Sequence, residues 1–313
     1  MAPPLVSISI VTYNQVEFIR ETLSSALDQE YENLEVVIAD DASTDGTSEV
    51  ILEYAKKYPS RLVPVFGRVN LGLTGNSNRA LKKCRGRYVA FQGGDDVLLP
   101  GKIRKQVDWM EENENRVLCG HDVEVFDSKT GRCLYFWSDR IPLKSGKGPR
   151  KIIRYGVPYC ATSIMIRSSV LPPYGFDERL PVVSDWKLWI DCLASGGHFG
   201  YIDGVYARYR RHSHNITDTH FQIRQDDQFV TLALVESHYP HLVESCRYGR
   251  ASLFYGVGLG SLLRGERRHA RVHLKNAVRQ HFHWKAYRAL LLTFFPNRFL
   301  TSLFTRLNMK HTP

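Results

Sequence analysis

The chain has 313 residues, 43% of them hydrophobic and 12% aromatic, and its formal net charge is +10. This composition excludes a disordered or fibrous protein and is sufficient for one large hydrophobic core or two smaller ones. Much of the positive charge lies after residue 247, which predicts an anionic partner for that part of the chain, such as a membrane surface, a phosphorylated substrate or nucleic acid.

Neither a secretory leader nor a membrane span is expected from the sequence. The N-terminus lacks the charged and apolar regions of a signal peptide, and the longest apolar stretch, residues 289–295, is far shorter than the roughly 18 residues of a span. Six cysteines occur without a C-x-x-C pair or zinc-ligand spacing, which is typical of reduced thiols in a protein core. We therefore expect a cytoplasmic protein.

Strands and helices alternate along about the first 115 residues. The pattern predicts strands over 6–12, 34–39 and 61–68, and a fourth strand that runs into Gly93 and Gly94. It predicts helices over 16–27 and 48–58, one that opens in the 70–79 loop, and one with Pro100 in its first turn. Such alternation indicates an α/β fold with a doubly wound parallel sheet.

The pattern changes after residue 115. Residues 117–126 and 132–137 are predicted to form a hairpin, and residues 164–167 a further short apolar segment. The stretch 138–158 is rich in Lys, Arg, Pro and Gly, and we expect a mobile loop that closes over a ligand. From about residue 220 onward the pattern is helical.

Two pairs of adjacent carboxylates follow predicted strands: Asp40 with Asp41, and Asp95 with Asp96. Because ligands bind at the carboxyl ends of parallel strands, both pairs are expected at one ligand-binding edge. Two charges about 4 Å apart repel by roughly 4 kcal/mol at an effective dielectric of about 20, and a hard divalent cation would reverse this repulsion. The pair at Asp95 is thus a candidate cation site, with a solvated turn as the alternative.

A series of short motifs resembles family 2 glycosyltransferases of the GT-A fold, which are inverting enzymes that use nucleotide sugars. In chain order the motifs are VSISIVTYN (6–14), VVIADDASTDGT (36–47), NLG (70–72), NRA (78–80), GDD (94–96), GFDERL (175–180), SDWKLW (184–189) and YRRHSHNI (209–216). The resemblance implies a Rossmann-like mixed sheet followed by a C-terminal helical region. It also implies sugar transfer, most often from a UDP sugar, to a hydroxyl of a glycan or lipid-linked acceptor in cell-envelope polysaccharide biosynthesis.

The resemblance divides the chain into a nucleotide-sugar-binding half (1–115), an acceptor-binding half of the same domain (116–217) and a basic helical region (218–313). It implies that Tyr13 stacks on the nucleobase and that Asp41 accepts a hydrogen bond from it, although simple packing and a turn cap are the alternatives. The full set of implied donor-binding residues is Thr12, Tyr13, Asn14, Asp40, Asp41, Asn78, Arg79, Asp95 and Arg211.

Several cations are implied in contact with the donor diphosphate. Arg79 would pair with it as a charge-assisted donor, although a role as an ordinary surface arginine is the alternative. Mn²⁺ or Mg²⁺ would bridge the two phosphates, with Asp96 as the principal ligand and Asp95 and His212 as further ligands. The sequence departs from the common Asp-x-Asp-Asp form of the metal motif, because its first position is Gly93.

Asp185 is the candidate general base, and it is expected to deprotonate the acceptor hydroxyl. It opens a predicted helix whose buried stripe would hold that helix in place. A purely structural acid at a helix N-terminus, worth about 0.3 to 1 kcal/mol, is the alternative. Many relatives carry an acidic residue just before the base, and here that position is Ser184.

Residues 265–310 combine cations with aromatic and aliphatic residues at helical spacing, which is typical of a peripheral contact with the inner face of a membrane. A helical cap with its cations in water is the alternative. Two other functions remain open at this point, a non-catalytic nucleotide-sugar-binding protein and a basic nucleic-acid-binding protein. Nucleic acid is disfavoured as a partner, because the first hundred residues are rich in paired acids and no nucleic-acid-binding motif occurs.

Overall fold

The computed structural model describes residues 2–142, 144–156 and 159–295, and within them the chain forms a ten-stranded mixed sheet followed by helices. The strands are β1 (Val6–Thr12), β2 (Leu34–Asp40), β3 (Leu62–Phe66), β4 (Tyr88–Gly93), β5 (Val97–Leu98), β6 (Arg116–Asp127), β7 (Cys133–Phe136), β8 (Gly146–Lys147), β9 (Met165–Arg167) and β10 (His198–Arg211). The chain divides into two compact units: residues 1–149 with 157–227, and residues 150–156 with 228–313.

The helices of the described residues lie between the strands and then follow the last one. They are α1 (Ile19–Leu27), α2 (Thr47–Lys57), α3 (Gly72–Leu81), α4 (Lys102–Glu111), α5 (Trp137–Arg140), α6 (Arg150–Tyr155), α7 (Ser184–Ala194), α8 (Ile216–Thr219), α9 (Phe221–His238), α10 (Val243–Leu263), α11 (Arg267–Gln280) and α12 (Trp284–Leu292). None of these helices is both long enough and apolar enough to cross a bilayer.

The long strands of the sheet share one direction. The strand order is β3-β2-β1-β4-β9-β6-β10-β5, with β7 added to β6 and β8 to β10. Pairing is parallel from β3 to β4 and between β6 and β10, whereas the short strand β9 is antiparallel to both β4 and β6. Strands β1 to β4, β6 and β10 therefore all end at the same edge of the sheet.

The first two strands form as predicted, because continuous apolar sequence suits strands that are covered on both faces. All seven residues of β2 are buried, including Glu35. The carboxylate of Glu35 accepts hydrogen bonds from the Ser7 hydroxyl at 2.6 Å and from the Arg85 guanidinium at 2.7 Å. These partners compensate the one charged side chain that the strand buries near its start.

Several expectations need correction. Pro100 is not in the first turn of a helix, because α4 begins at Lys102 after Gly101, whose φ of +82° is outside the helical region. Cys133 is an exposed thiol rather than a core one, although all six cysteines are free. Strand β10 was not predicted, because bulges near Gly204 interrupt the alternation of its side chains.

The stretch 138–158 is also not a plain loop. It contains the end of α5, strand β8 and helix α6, while residues 143, 157 and 158 lie outside the described residues. Helix α6 belongs to the second unit, where Ile152 and Ile153 are buried. A Cβ atom on Gly249 of α10 would lie 2.5 Å from the Ile153 carbonyl oxygen, so glycine permits this close approach.

Helix α7 is held in place by a buried stripe and by a buried ion pair. Trp186, Trp189 and Leu193 are buried as predicted from their spacing. On the same helix the Lys187 ammonium lies 2.7 Å from a carboxylate oxygen of Asp191, with the two side chains 0% and 1% exposed. Such a pair fixes the helix, since each charge is satisfied only in this arrangement.

We expect Lys187→Met to lower the free energy of unfolding by about 3–5 kcal/mol, because it removes the opposite charge from a buried carboxylate. The double variant Lys187→Met, Asp191→Leu should recover most of this loss. Arg20→Met provides the control, because the pair of Arg20 with Glu53 is 53% and 60% exposed and its loss should cost less than about 1 kcal/mol. Urea denaturation measures all three, and equal effects of the two single substitutions would contradict the prediction.

Candidate functional site

The polar residues that follow the parallel strands meet at one edge of the first unit. Thr12 ends β1, Asp40 ends β2, Gly93 ends β4 and Arg211 ends β10. Since these strands run in the same direction, the segments that follow them lie along the same edge. This edge is where a ligand binds in an open α/β sheet, and it contains both predicted carboxylate pairs.

The two carboxylates after β4 converge on the space beside Gly93. A Cβ atom on Gly93 would lie 2.8 Å from Oδ1 of Asp95 and 3.1 Å from Oδ2 of Asp96. A side chain at position 93 would therefore displace at least one of them. The missing third acid of the motif thus leaves a small concave site with an oxygen atom of each remaining acid on its wall.

Asp96 is held from two directions by hydrogen-bond donors. Its Oδ2 accepts a hydrogen bond from the Thr162 hydroxyl, and its Oδ1 accepts one from the backbone N–H of Arg210 at 3.0 Å. Burial, followed by the charge of Asp95, raises the pKa of Asp96 well above its usual range. Burial therefore makes the ionised form of Asp96 costly, and a cation bound beside it would reduce that cost.

The structure brings together Asp95 and His212, two of the predicted metal ligands. Nε2 of His212 lies 2.8 Å from Oδ2 of Asp95, across 117 residues of sequence. The backbone N–H of His212 donates to the Asn215 side chain at 2.7 Å, and its ring lies 4.9 Å from that of Phe18. The imidazole is thus held in a defined position beside the carboxylate pair.

Arg210 and Thr162 are site residues that were not predicted. The buried Arg210 guanidinium donates to the Asp95 carbonyl at 2.7 Å and to the Glu21 carboxylate. Strand alternation could have identified it, because Arg210 and the predicted Arg211 must lie on opposite faces of β10. No local signal marks Thr162, since it lies 66 residues from the carboxylate that it contacts.

A second cluster lies around Asp41. Its buried carboxylate lies 2.9 Å from the Arg79 guanidinium and accepts hydrogen bonds from the backbone N–H groups of Leu71 and Gly72. Arg79 is therefore directed to Asp41 rather than to the Asp95 pair. Tyr13 is 47% exposed, which leaves its ring open to a planar ligand.

Asp40 and Asn14 hold the turns of this edge. The Asp40 carboxylate accepts hydrogen bonds from the hydroxyls of Ser43 and Ser48. The side-chain oxygen of Asn14 accepts one from the backbone N–H of Thr44 at 2.9 Å, and Asn14 itself has a φ of +50°. Both side chains thus shape the loop after β2, and neither is directed at the Asp95 pair.

Thr12 and Asn78 also make internal contacts. The Thr12 hydroxyl donates to the Gln15 side-chain oxygen at 2.8 Å. The Asn78 amide exchanges two hydrogen bonds with the backbone of Phe176, at 2.8 and 2.9 Å, and donates a third to Glu178. Asn78 therefore fastens α3 to the segment before α7. Both residues lie beneath the edge as supports of the predicted donor site.

Asp185 lies in the first turn of α7, and the loop before it is anchored. The backbone N–H groups of Val182 and Val183 both donate to the buried Asp227 carboxylate, at 2.7 and 2.9 Å. The Ser184 hydroxyl lies 2.8 Å from that of Thr74 on α3. Serine at this position therefore joins α7 to α3.

Burial raises the pKa of Asp185 to about 6. The charge of Asp185 also affects the pKa of the buried Cys160 thiol. The pKa of Cys160 is raised well above its usual value, first by burial and then by the charges of Asp96, Asp185 and Asp95. Asp185 and the carboxylate pair therefore all act electrostatically on the same buried thiol.

The described residues contain no group of three or more His, Cys, Asp or Glu side chains placed to hold a metal ion by themselves. The corner beside Gly93 nevertheless offers oxygen ligands to a divalent cation, because Asp95 and Asp96 converge on it, and the His212 imidazole contacts the other carboxylate oxygen of Asp95. A cation held by few protein ligands takes its other ligands from water and substrate phosphates. Asp96, Asp95 and His212 are the residues that would hold it.

The sequence matches the family model described as "Glycosyl transferase family 2" over residues 7–171. That range includes both carboxylate pairs and Thr162. Among curated proteins, EpsE of Bacillus subtilis is 33% identical over 196 residues, which are 62% of this chain and 68% of EpsE. A protein of Mycobacterium tuberculosis is 33% identical over 216 residues, and the chain spans 60% of that relative's length.

A longer match is to the Escherichia coli enzyme WfaP, named as a UDP-Glc:alpha-D-GlcNAc-diphosphoundecaprenol beta-1,3-glucosyltransferase. It is 31% identical over 244 residues, which are 75% of this chain and 89% of WfaP. Among solved structures, S. aureus TarS 1-349 in complex with UDP has a TM-score of 0.63 at 17% identity, with 93% of this chain and 89% of TarS 1-349 covered.

The mannosyltransferase PcManGT from Pyrobaculum calidifontis, solved in complex with GDP-Man and Mn²⁺, has a TM-score of 0.61 at 18% identity, with 96% of this chain and 83% of that chain covered. At such low identity these two structures establish the fold alone, and they share the mixed α/β architecture described above. The family model covers more than half of the sequence. The chain therefore belongs to glycosyl transferase family 2, and it is a glycosyltransferase enzyme with the GT-A fold.

Proposed function

We propose that the chain transfers a sugar from a nucleotide sugar to a hydroxyl of a glycan or lipid-linked acceptor, with inversion at the anomeric carbon. A UDP sugar is the donor that we expect. The observation that carries this proposal is the convergence of Asp95 and Asp96 beside Gly93 at the carboxyl edge of the parallel strands. Asp185, with a pKa of about 6, can act as a base near neutral pH, and its charge acts on the same buried Cys160 thiol as the charges of that pair.

The nucleoside part of the donor would bind at the second cluster of the edge. The half-exposed ring of Tyr13 is suited to stacking on a nucleobase, and Asp41 is suited to accepting a base N–H. Arg79 then acts as the ion-pair partner of the Asp41 carboxylate, and Arg211 remains the predicted contact to the diphosphate. TarS has been solved in complex with UDP-GlcNAc and PcManGT in complex with GDP-Man, which supports a nucleotide sugar as the donor.

Asp96, Asp95 and His212 would hold Mn²⁺ or Mg²⁺, which when bound would neutralise the charge of the diphosphate leaving group. Imidazole favours Mn²⁺ over Mg²⁺, and the PcManGT complex contains Mn²⁺. Thr162 and the backbone of Arg210 keep the Asp96 carboxylate in place before the donor arrives.

Asp185 would accept the proton of the acceptor hydroxyl as its oxygen bonds to the anomeric carbon. The bond between that carbon and the diphosphate oxygen breaks in the same displacement, so the nucleoside diphosphate leaves from the opposite face. The buried stripe of α7, the anchor at Asp227 and the contact of Ser184 with Thr74 hold Asp185 in one position. Such positioning is a large part of what an enzyme contributes to a single displacement.

The acceptor side of the proposal rests on the relatives. WfaP is named for transfer from UDP-Glc to a diphosphoundecaprenol-linked sugar, and the match covers 89% of it. A comparable acceptor would place this chain at the inner face of a membrane, in cell-envelope polysaccharide synthesis. We therefore propose a cytoplasmic enzyme with peripheral membrane contact through residues 265–310, of which 296–310 lie outside the described residues.

We expect UDP to raise the melting temperature of the protein, with a further rise when Mn²⁺ is present. A ligand at about 100 times its dissociation constant stabilises a protein by about 2.7 kcal/mol. Tyr13→Ala should weaken UDP binding by about 5- to 100-fold, in line with about 1–3 kcal/mol for base stacking. Tyr155→Ala, at a tyrosine that is 61% exposed in the second unit, is the control. Unchanged UDP affinity in Tyr13→Ala would remove Tyr13 from the donor site.

Asp185→Asn should lower turnover by about 10²- to 10⁴-fold, because the amide cannot accept the proton of the acceptor. UDP binding should not change, since Asp185 does not contact the nucleotide in this mechanism. Asp203→Asn, at an exposed position on β10, is the matched control and should retain activity. Near-normal transfer by Asp185→Asn, measured as sugar incorporation into acceptor, would exclude Asp185 as the base.

The raised pKa of Asp185 also predicts two effects of pH. Transfer should fall about tenfold per unit below about pH 6, because the base must be ionised. The pKa of an aspartate in the unfolded chain is about 3.9, which is lower than the pKa of about 6 in the folded chain. The folded state therefore becomes more stable as the pH falls from about 6 to about 3.9, because it binds the proton more tightly than the unfolded state does. Above both values the carboxylate costs the fold about 3 kcal/mol, so the unfolding free energy of Asp185→Asn should exceed that of wild type by about this amount at about pH 7.5 and by about half as much at about pH 5. Denaturant unfolding at both pH values checks this, and a constant difference would contradict it.

A further inference from the structure

Helix α12 distributes its large and small apolar residues in an unusual way. Its inward positions are Ala286 and Ala289, which are buried in the core of the second unit. Its outward positions are Trp284, Tyr287 and Leu291, at i, i+3 and i+7, and they are 53%, 53% and 50% exposed. A surface helix normally buries its large apolar side chains, so this aromatic face, defined as Trp284, Tyr287 and Leu291, lacks the usual burial.

Exposed aromatic residues continue beyond both ends of the helix. Phe282 is 79% exposed just before α12, and Phe294 and Phe295 are 64% and 46% exposed just after it. Isolated exposed apolar residues are ordinary on protein surfaces, whereas a contiguous group of them indicates an interaction site. The aromatic face and these neighbours all lie within 14 residues of sequence, so the exposed apolar residues are concentrated in one segment rather than scattered singly.

The position of α12 is fixed from α11. The Arg271 guanidinium donates to the Thr293 hydroxyl at 3.2 Å and to the Thr293 carbonyl at 3.1 Å. Arg267 donates to the Phe295 carbonyl at 3.1 Å. Cations at the C-terminal end of a helix satisfy carbonyl groups that have no partner within the helix. The aromatic face is therefore presented by an anchored helix rather than by a frayed end.

The surroundings of the aromatic face are strongly basic. Residues 264–295 contain eight Lys and Arg residues and a single acid, Glu266. Their net charge of +7 is most of the chain's net charge of +10. Glu266 is paired with Arg264 at 2.9 Å. On α12 itself, the exposed Lys285 and Arg288 lie 6.0 and 5.4 Å from the centre of the Trp284 ring. Aromatic rings with cations beside them suit the boundary between lipid headgroups and acyl chains.

We infer that the aromatic face docks this chain on a bilayer that contains anionic lipids, with Trp284, Tyr287 and Leu291 among the acyl chains and Lys285 and Arg288 at the headgroups. A second copy of the chain fits less well, because it would bring two strongly basic surfaces together. Nucleic acid would engage the cations and leave the apolar side chains in water. The inference deepens the proposed function, since a lipid-linked acceptor lies in such a bilayer.

The test is sedimentation of the full-length protein with vesicles of phosphatidylglycerol and phosphatidylcholine, and with vesicles of phosphatidylcholine alone. We expect binding to the anionic vesicles at low salt and binding to the neutral ones that is weaker by at least about 25-fold, since each of the two cations near anionic lipid contributes about fivefold. Trp284→Ser, Tyr287→Ser, Leu291→Ser in one chain should abolish binding. Lys285→Gln with Arg288→Gln should weaken it by about 25-fold and reduce its dependence on salt.

Leu52→Ser with Leu134→Ser is the matched control, because these leucines are 45% and 52% exposed in the first unit and lie outside the aromatic face. No binding by wild type, equal binding to both kinds of vesicle, or equal binding by the triple variant would each overturn the inference. If wild type forms a dimer that the triple variant does not form, and wild type does not bind lipid, the aromatic face would be assigned to a second copy of the chain. That result would also overturn the inference.

A UDP thermal shift on the same proteins separates this inference from the proposed function. The triple variant should keep the UDP response of wild type, which also shows that it is folded. Lipid binding without any UDP response would contradict the proposed donor and leave the docking surface intact. A UDP response without lipid binding would contradict the docking surface alone.

Discussion

The arrangement of the catalytic unit depends on the burial of negative charge at one edge of a parallel sheet. Asp96 is buried beside Asp95, and the carboxyl ends of the parallel strands leave no space for bulk water around it. The fold supplies donors from distant segments, namely the Thr162 hydroxyl and the backbone of Arg210. These contacts tie β4 to β10 and to the segment before β9, so the charge that a donor complex needs also organises the edge.

The departures from the family motifs have physical explanations in this geometry. Gly93 replaces an acid, and the two remaining carboxylates converge on the space that its missing side chain leaves. Ser184 replaces another acid, and its hydroxyl joins α7 to α3 through Thr74. In both places one acid fewer reduces the repulsion within a crowded anionic corner. The acids to which we assign a role, Asp96 and Asp185, are present.

The second unit uses its residues differently. Its core is built largely from alanine and leucine, which lets α10, α11 and α12 approach closely, while aromatic side chains face outward from α12. The same segment carries most of the net charge of the chain. In the function that we propose, the first unit binds the nucleotide sugar, so this combination in the second unit is not required for donor binding. We therefore propose that the first unit carries the donor chemistry and that the second unit determines where the enzyme is located.

The strands β1 and β2, the acids that follow them and the amphipathic stripe of α7 were predictable from sequence, because each depends on residues within a few positions of one another. The bulged strand β10 was not, since its alternation is broken and its pairing with β6 joins residues more than 80 positions apart. The pairs Asp40–Asp41 and Asp95–Asp96 look alike in sequence, but their four carboxylates have different partners. Asp40 accepts hydrogen bonds from serine hydroxyls and Asp41 pairs with Arg79. Asp95 contacts His212, and the buried Asp96 accepts a hydrogen bond from Thr162.

Sequence by itself determined which residues carry charge and where strands end, because these are local properties of the chain. Only the tertiary structure decided which donor reaches which carboxylate, because those partners are brought together by the sheet and not by their spacing.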